Sequence, residues 1–285
     1  MKLTDPKVIK NIMQADSLRF NKNLGQNFLV DEGVLTHIIT GSGADKECGV
    51  IEIGPGLGTL TQVLAEAAAK VVSVELDRSI AAYLKKSFAA YSNVEIIEGD
   101  FLKQDVDEII EEKLQNLRVL VIANLPYYIT TPIIMRLLEG RSAIESITVM
   151  VQKEVAERLC ASPGTKAYGA ISVAVQYYSD AEIIVNVPKE CFLPAPKVDS
   201  AVIKLDIKGH TKPEVYDEEM FFKVVKGAFA QRRKTLTNSL TTQFELPKEQ
   251  IRDIVEKVCN NANIRGEALS ISDFAQITKE MLANA

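Results

Sequence analysis

Between residues 50 and 151 the chain alternates short, near-continuously apolar runs with stretches of helical character, and this alternation leaves few folds open. The runs Val50–Ile53, Val71–Glu75, Val94–Glu98, Val119–Ala123 and Ser146–Val151 are rich in β-branched residues and keep no polar face. Parallel strands covered on both sides by helices read this way, because neither face meets water. The intervening segments, Thr59–Ala69, Ser79–Tyr91, Val106–Leu117 and Thr131–Glu139, have helical patterning. Strand–helix–strand repetition predicts an α/β fold built on a doubly wound parallel sheet, with helices on both faces. Two further strands, Ile171–Tyr178 and Ala201–Ile207, are expected to extend it. From Asn186 to Pro196, three prolines (Pro188, Pro194, Pro196) exclude a regular helix. Beyond Gly209 the strand signal disappears, and helices are expected over Glu218–Ala230, Lys234–Thr242, Lys248–Val258 and Ile271–Met281. On this reading a basic arm covers residues 1–25, the sheet domain 26–208 and a small all-helical domain 209–285.

Composition narrows the function classes. The chain has 285 residues, 47% hydrophobic and 25% charged, which is ordinary globular usage and long enough for a large and a small domain. No run approaches about 18 apolar residues, and no apolar stretch follows the early lysines, so a soluble cytoplasmic protein without a membrane segment is expected. Cys48, Cys160, Cys191 and Cys259 form no CxxC pair, and the histidines are His37 and His210. Neither a zinc site nor a disulfide framework is expected from that spacing; free thiols in a reducing compartment are. The net charge of −5 is unevenly spread: +3 over residues 1–25, −9 over 26–203 and +1 over 204–285. An acidic body argues against strong non-specific nucleic-acid binding. The basic arm and Arg232-Arg233-Lys234 are compatible with RNA contacts, and equally with solvated faces.

The chemistry-bearing motifs stand where the strands end. The first strand closes in Glu52-Ile53-Gly54-Pro55-Gly56-Leu57-Gly58 and runs into a helix; glycines there let the backbone turn sharply and approach a ligand. Glu75, twenty-one residues beyond Gly54 at the end of the second strand, is placed to accept hydrogen bonds from both ribose hydroxyls of an adenosine ligand. The GxGxG spacing, in place of GxGxxG, points to a nucleoside cofactor without a pyrophosphate, such as S-adenosylmethionine (SAM). A dinucleotide, or a strand–helix turn without a ligand, stays open at this point. Gly99-Asp100-Phe101 ends the third strand: its carboxylate fits the N6 hydrogens of adenine and its ring a base face, although Gly-Asp is also a common turn.

Ala123-Asn124-Leu125-Pro126-Tyr127-Tyr128, at the end of the fourth strand, faces the same crevice. An adenine N6 is a poor nucleophile because its lone pair is delocalised into the ring. Two acceptors aimed at its hydrogens, the Asn124 side-chain oxygen and the Leu125 carbonyl, would favour a tetrahedral, more nucleophilic nitrogen. Pro126 fixes the turn, and Tyr127 offers a face on which a base can stack.

Asn124-Leu125-Pro126-Tyr127 resembles the motif of amino-directed SAM-dependent methyltransferases. Further stretches resemble the KsgA-type small-subunit ribosomal RNA adenine dimethyltransferases: Leu24-Gly25-Gln26-Asn27-Phe28-Leu29, Pro163–Gly169, Phe192-Leu193-Pro194-Ala195-Pro196-Lys197-Val198-Asp199-Ser200 and Phe229–Leu236. The resemblance covers about residues 20 to 280. It implies a Rossmann-like methyltransferase domain followed by a small helical domain. It also implies a substrate: two adjacent adenosines in the loop of the 3′-terminal hairpin of 16S rRNA, in the 30S subunit or a late assembly precursor, each dimethylated at N6 by a monomer that uses SAM and no metal.

Carried onto matching positions, the resemblance implies that Asn27 and Leu29 contact SAM beside its methionine end, with Gly54 and Gly56 under it. Glu75 holds the ribose with Leu76 beside it, and Asp100 and Phe101 read the cofactor adenine. Asn124 touches both cofactor and target amine, Leu125 supplies the second acceptor, and Phe192 is a second aromatic wall opposite Tyr127. Extrusion of the target base is implied, since a stacked adenine cannot present N6 to a buried methyl group. Lys204, Lys208, Arg232, Arg233 and Lys234 are candidate phosphate contacts. Three other readings compete: an Erm-type enzyme acting on 23S rRNA, a non-catalytic ribosome-assembly factor on the same scaffold, and a dinucleotide-dependent oxidoreductase. The Pro163–Gly169 and Arg232–Leu236 stretches disfavour the first, intact Glu75, Asp100, Asn124 and Tyr127 the second, and GxGxG the third.

Overall fold

A computed structural model of the chain describes residues 2–16, 18, 26–140, 142–208 and 214–284. Arg19, Lys22, Leu24 and Gly25 of the basic arm, and Gly209 and His210 at the expected boundary, lie outside the described residues. In chain order the elements are α1 (Pro6–Ala15), β1 (Phe28–Leu29), α2 (Glu32–Ser42), β2 (Cys48–Ile53), α3 (Thr59–Ala67), β3 (Lys70–Glu75), α4 (Arg78–Ser87), β4 (Val94–Glu98), α5 (Val106–Lys113), β5 (Arg118–Asn124), α6 (Thr130–Glu139) and β6 (Ser146–Gln152). There follow α7 (Lys153–Leu159), α8 (Ala170–Tyr178), β7 (Ser179–Val187), β8 (Phe192–Leu193), β9 (Ser200–Ile207), α9 (Glu218–Phe229), α10 (Leu236–Thr241), α11 (Lys248–Cys259) and α12 (Ile271–Ala283).

Seven strands form one sheet in the order β4-β3-β2-β5-β6-β9-β7. The pairs β3–β4, β2–β3, β2–β5 and β5–β6 are parallel, and β9 runs antiparallel to β6. All six residues of β2 are buried, as the missing polar face in the sequence required. Its core joins Val50 to Leu35, Leu64, Val71, Leu120, Met150 and Val202. Aspartates set several helix starts: Asp77 accepts from the backbone N–H of Ser79 and Ile80, and Asp105 from Asp107 and Glu108. The chain order reverses beside β2, where β3 and β4 lie to one side and β5 and β6 to the other. Open α/β sheets leave a crevice at such a point, outside the carboxyl ends of the strands.

Three sequence expectations change. Residues 170–178 form helix α8, not a strand. The residues Ser172, Val173, Ala174, Val175, Tyr177 and Tyr178 are all buried, so the helix shows no polar stripe, and an apolar run of this length has no distinguishing period. The Gly169 N–H donates to the Ser172 hydroxyl, which caps the helix start; the seventh strand of the sheet begins only at Ser179.

The chain also does not divide at one cut near residue 208. One compact unit holds residues 1–156 and 180–207, and the other holds 157–179 and 208–285, so the helical unit recruits a mid-chain segment. Inside that unit the fully buried Tyr168 donates its hydroxyl to the Leu269 carbonyl at 3.0 Å and meets Phe229 edge-on. Finally, the basic arm contains α1, started by Asp5 and Pro6, whose Ile9, Ile12 and Met13 are buried in a cluster with Leu57, Ile80, Leu84 and Phe88.

The turn from β2 into α3 requires glycine at Gly58. Its φ is +87°, and a Cβ there would lie 2.5 Å from the Phe88 ring. Gly58→Ala is expected to destabilise the protein by roughly 1–3 kcal/mol through strained backbone and displaced ring. Urea unfolding followed by circular dichroism measures this; an unshifted midpoint would contradict the account.

Candidate active site

The carboxyl ends of β2, β3, β4 and β5 open into one cleft that also takes in the segment Gln26–Leu29. That segment is positioned by a two-stranded ladder in which Phe28 pairs with Leu193 and Leu29 with Phe192. Asn124, the last residue of β5, donates its Nδ2 to the Asn27 carbonyl at 3.1 Å. The amide is thereby oriented, and its Oδ1 is left as an acceptor. The next turn is tied down at both ends: the Leu125 N–H donates to the Met150 carbonyl at 3.2 Å, and the Pro126 carbonyl accepts from the Ile129 N–H and the Thr130 hydroxyl.

Glu75 closes β3, and its two oxygens are each held by a backbone N–H. Oε2 accepts from Gly56 at 3.2 Å and Oε1 from Asp77 at 2.8 Å. Burial pushes its pKa up, while those two donors act to lower it. Each oxygen keeps a second lone pair for a ligand hydroxyl. Leu76, beside it, is 47% exposed and lines the same cleft. Asp100 uses Oδ1 to accept from the Leu102 N–H, capping the 3₁₀ turn Phe101–Lys103, and the buried Phe101 forms part of the wall. Gly56 adopts φ +58°, and a Cβ there would meet the Phe28 ring at 3.0 Å.

One residue of the cleft carries more chemistry than its place in the motif suggested. Glu52 is 1% exposed. Its Oε2 accepts from the Ser73 hydroxyl at 2.6 Å and the Thr61 hydroxyl at 2.7 Å, whereas Oε1 has no partner. Burial, with Glu75 nearby, pushes its pKa up to about 7. The sequence signal was a carboxylate inside an otherwise apolar strand. A buried carboxylate oxygen with an open acceptor position suits a ligand that brings a cationic donor. SAM carries both an ammonium and a sulfonium, so the donor set fits it: Glu52 for a cation, Glu75 for vicinal hydroxyls, Asp100 for an amine, and glycine backbone between them. Among the described residues no three His, Cys, Asp or Glu side chains are grouped as metal ligands.

The remaining expected residues divide. Asn27, Leu29, Gly54, Gly56, Glu75, Leu76, Asp100, Phe101, Asn124, Leu125 and Tyr127 all line the cleft. Tyr127 is half-buried, with its hydroxyl 2.7 Å from the Ser200 Oγ, and burial pushes the phenol pKa up. Phe192 is not a wall of this cleft. It is 4% exposed and packs in the core with Leu29, Val34, Val187 and Val202, because its place in β8 turns the ring inward. The exposed aromatic at the cleft is instead Tyr128, 53% exposed, which the sequence reading left without a role.

The candidate phosphate contacts fall in both units. Lys204, on β9, pairs with Asp206 at 3.0 Å. Lys208 donates to the Gln176 carbonyl, and Arg232 donates to the Lys166 carbonyl beside Glu267. Arg233 and Lys234 are exposed.

Comparison with known proteins agrees with this geometry. The sequence profile of the family described as ribosomal RNA adenine dimethylase matches residues 17–282. A protein of Alkaliphilus metalliredigens named ribosomal RNA small subunit methyltransferase A is 48% identical over 283 residues, covering 99% of each chain. One of the same name from Geobacillus thermodenitrificans is 45% identical, covering 98% of this chain and 97% of its own. Among solved structures, a dimethyladenosine transferase from Plasmodium falciparum superposes with a TM-score of 0.76 at 27% identity, covering 90% of this chain and 98% of its own. The 23S rRNA methyltransferase ErmE shares the fold, with a TM-score of 0.70 at 23% identity over 89% of this chain and 99% of its own.

Glu52 makes stability pH-dependent. Its carboxyl ionises near 4.5 when unfolded and near 7 when folded, so between those values the folded chain binds more protons and loses stability as pH rises. Glu75, shifted in the same direction, adds to the slope. Glu52→Gln is expected to shrink the fall in melting temperature between about pH 5 and 7.5. A fall as steep as the wild type's would show that Glu52 ionises normally in the ligand-free protein.

Proposed function

The chain belongs to the ribosomal RNA adenine dimethylase family and is a methyltransferase; on that premise we propose that it uses SAM to dimethylate N6 of two adjacent adenosines in the loop of the 3′-terminal hairpin of 16S rRNA. Its substrate is the 30S subunit or a late assembly precursor, met by a monomer in the cytoplasm. The observation that supports this reading is the Asn124–Asn27 hydrogen bond, which engages the amide Nδ2 and leaves Oδ1 as an acceptor on a residue that lines the cleft together with Leu125. Two oxygen acceptors on adjacent residues suit an exocyclic amine with two hydrogens.

Bound SAM supplies an electrophilic methyl on a sulfonium, an excellent leaving group. Glu75 would accept from its ribose hydroxyls, Asp100 from its adenine amine, and Glu52 Oε1 from its ammonium, while Phe101 and Leu76 would cover the base. Asn124 Oδ1 and the Leu125 carbonyl would accept from the target N6 hydrogens and concentrate the nitrogen lone pair; as the N6–methyl bond forms the sulfur–methyl bond breaks, S-adenosylhomocysteine leaves, and the N6 proton passes to solvent. Tyr127 stacks on the extruded adenine, a contact worth about 1–3 kcal/mol. Positioning and exclusion of water account for most of the acceleration. The helical unit, with Arg233 and Lys234 exposed, contacts RNA phosphates; Arg232, tied to Lys166 and Glu267, braces the loop that carries them.

The large-subunit rRNA methyltransferase at 23% identity speaks for the fold alone, whereas the relatives at 48% and 45% identity along nearly their whole length are named for the small subunit. Transfer of labelled methyl from SAM to undermethylated 30S subunits, against 50S subunits, tests the choice. N6,N6-dimethyladenosine is expected in the 30S RNA alone; label in 50S RNA would overturn the reading. Asn124→Ala removes one of the two acceptors and is expected to lower turnover about 100- to 1000-fold in single-turnover assays. Arg233→Ala combined with Lys234→Ala is expected to leave SAM affinity unchanged and to flatten the slope of log K against log salt for RNA by about 1.4–1.8. An unaltered slope would identify both as solvated charges.

A further inference from the structure

Ser200 is the first residue of β9 and is fully buried, and its Oγ lies 2.7 Å from the Tyr127 hydroxyl. Its backbone is held firmly: Ser200 pairs with Gln152 in the β6–β9 ladder, and the neighbouring Asp199 carbonyl accepts from the Lys153 N–H at 3.0 Å. At the other end, the backbone of Tyr127 lies in a turn whose Pro126 carbonyl accepts from Ile129 and Thr130. The tyrosine ring is therefore fixed at both its root and its tip. A half-buried phenol needs some polar partner. Here the partner is a strand residue on a different part of the chain, so the bond also fixes where the tip of the ring sits.

We propose that Ser200 is a positioning residue for methyl transfer: its hydrogen bond holds the Tyr127 ring in the orientation that receives the target base. The inference rests on the reading of Tyr127 as the stacking surface. A ring anchored at its tip loses less freedom when the base arrives, and the stacked adenine then presents N6 at a narrower range of distances from Asn124. Ser200 takes no part in the chemistry, and the cofactor subsites at Glu52, Glu75 and Asp100 do not depend on it.

Ser200→Ala and Tyr127→Phe break this bond from opposite sides. Each is expected to lower kcat/KM for undermethylated 30S subunits about tenfold. The double variant is expected to fall no further, and Ser200→Thr, which keeps the hydroxyl, to recover most of the loss. SAM affinity, measured by calorimetry, is expected to stay at the wild-type value throughout. A double variant about a hundredfold down, single variants at the wild-type kcat/KM, or SAM affinity falling in step with activity would each overturn the proposal. If Ser200→Ala does not fold, Tyr127→Phe decides alone: wild-type kcat/KM overturns the proposal, and a tenfold loss with intact SAM binding supports it. Tyr127→Ala separates this inference from its premise. It is expected to lose more than either bond-breaking variant; activity equal to wild type would instead remove Tyr127 from the base site. A wild-type protein that transfers no methyl to 30S subunits would sink the functional reading as a whole.

Discussion

The burial of β2 on both faces, between parallel neighbours on either side, organises the whole site. A strand so enclosed has its backbone groups paired along its length and must end abruptly where the helix packing over it begins. The end falls at Ile53, and the glycine turn that follows brings the backbone close to Glu75 on one side, where the Gly56 N–H meets its carboxylate. On the other side, β5 delivers Asn124. The reversal of strand order beside β2 is what opens the space between these groups, and moving β2 by one residue of register would displace every one of them.

The electrostatics of the cleft follow from the donors each acid finds. Glu52 is held by two hydroxyls, Glu75 by two backbone N–H groups and Asp100 by one. These partners are neutral, so burial raises the pKa of Glu52 and Glu75, and a cationic ligand would draw both toward the ionised form. The acidic excess of the chain lies in residues 26–203, the stretch that holds these three carboxylates.

The rim of the cleft is braced from outside the main sheet. The β1–β8 ladder sets Asn27 against Asn124, and Phe192 in that ladder is committed to the core as an anchor. The next seven residues lead to Ser200, whose hydroxyl reaches back to Tyr127. The proline-containing segment between Phe192 and Ser200 therefore supplies support at both ends.

Patterns of short range were legible in the sequence by itself. The five strands of the βα repeat, the glycine turn, the acid at the end of β3 and the Asn124–Tyr127 turn all announce themselves through local spacing and chemistry. What stayed hidden depends on partners distant in the chain. Residues 170–178 read as a strand because burial on all sides erased the polar face that marks a helix, and residues 157–179 joined the helical unit through contacts no local pattern reports. The inward turn of Phe192, the open oxygen of Glu52 and the grip of Ser200 on Tyr127 belong to the same class. Residue type and spacing fix which chemistry a side chain can offer; only packing decides which atoms are already satisfied and which are left to meet a ligand.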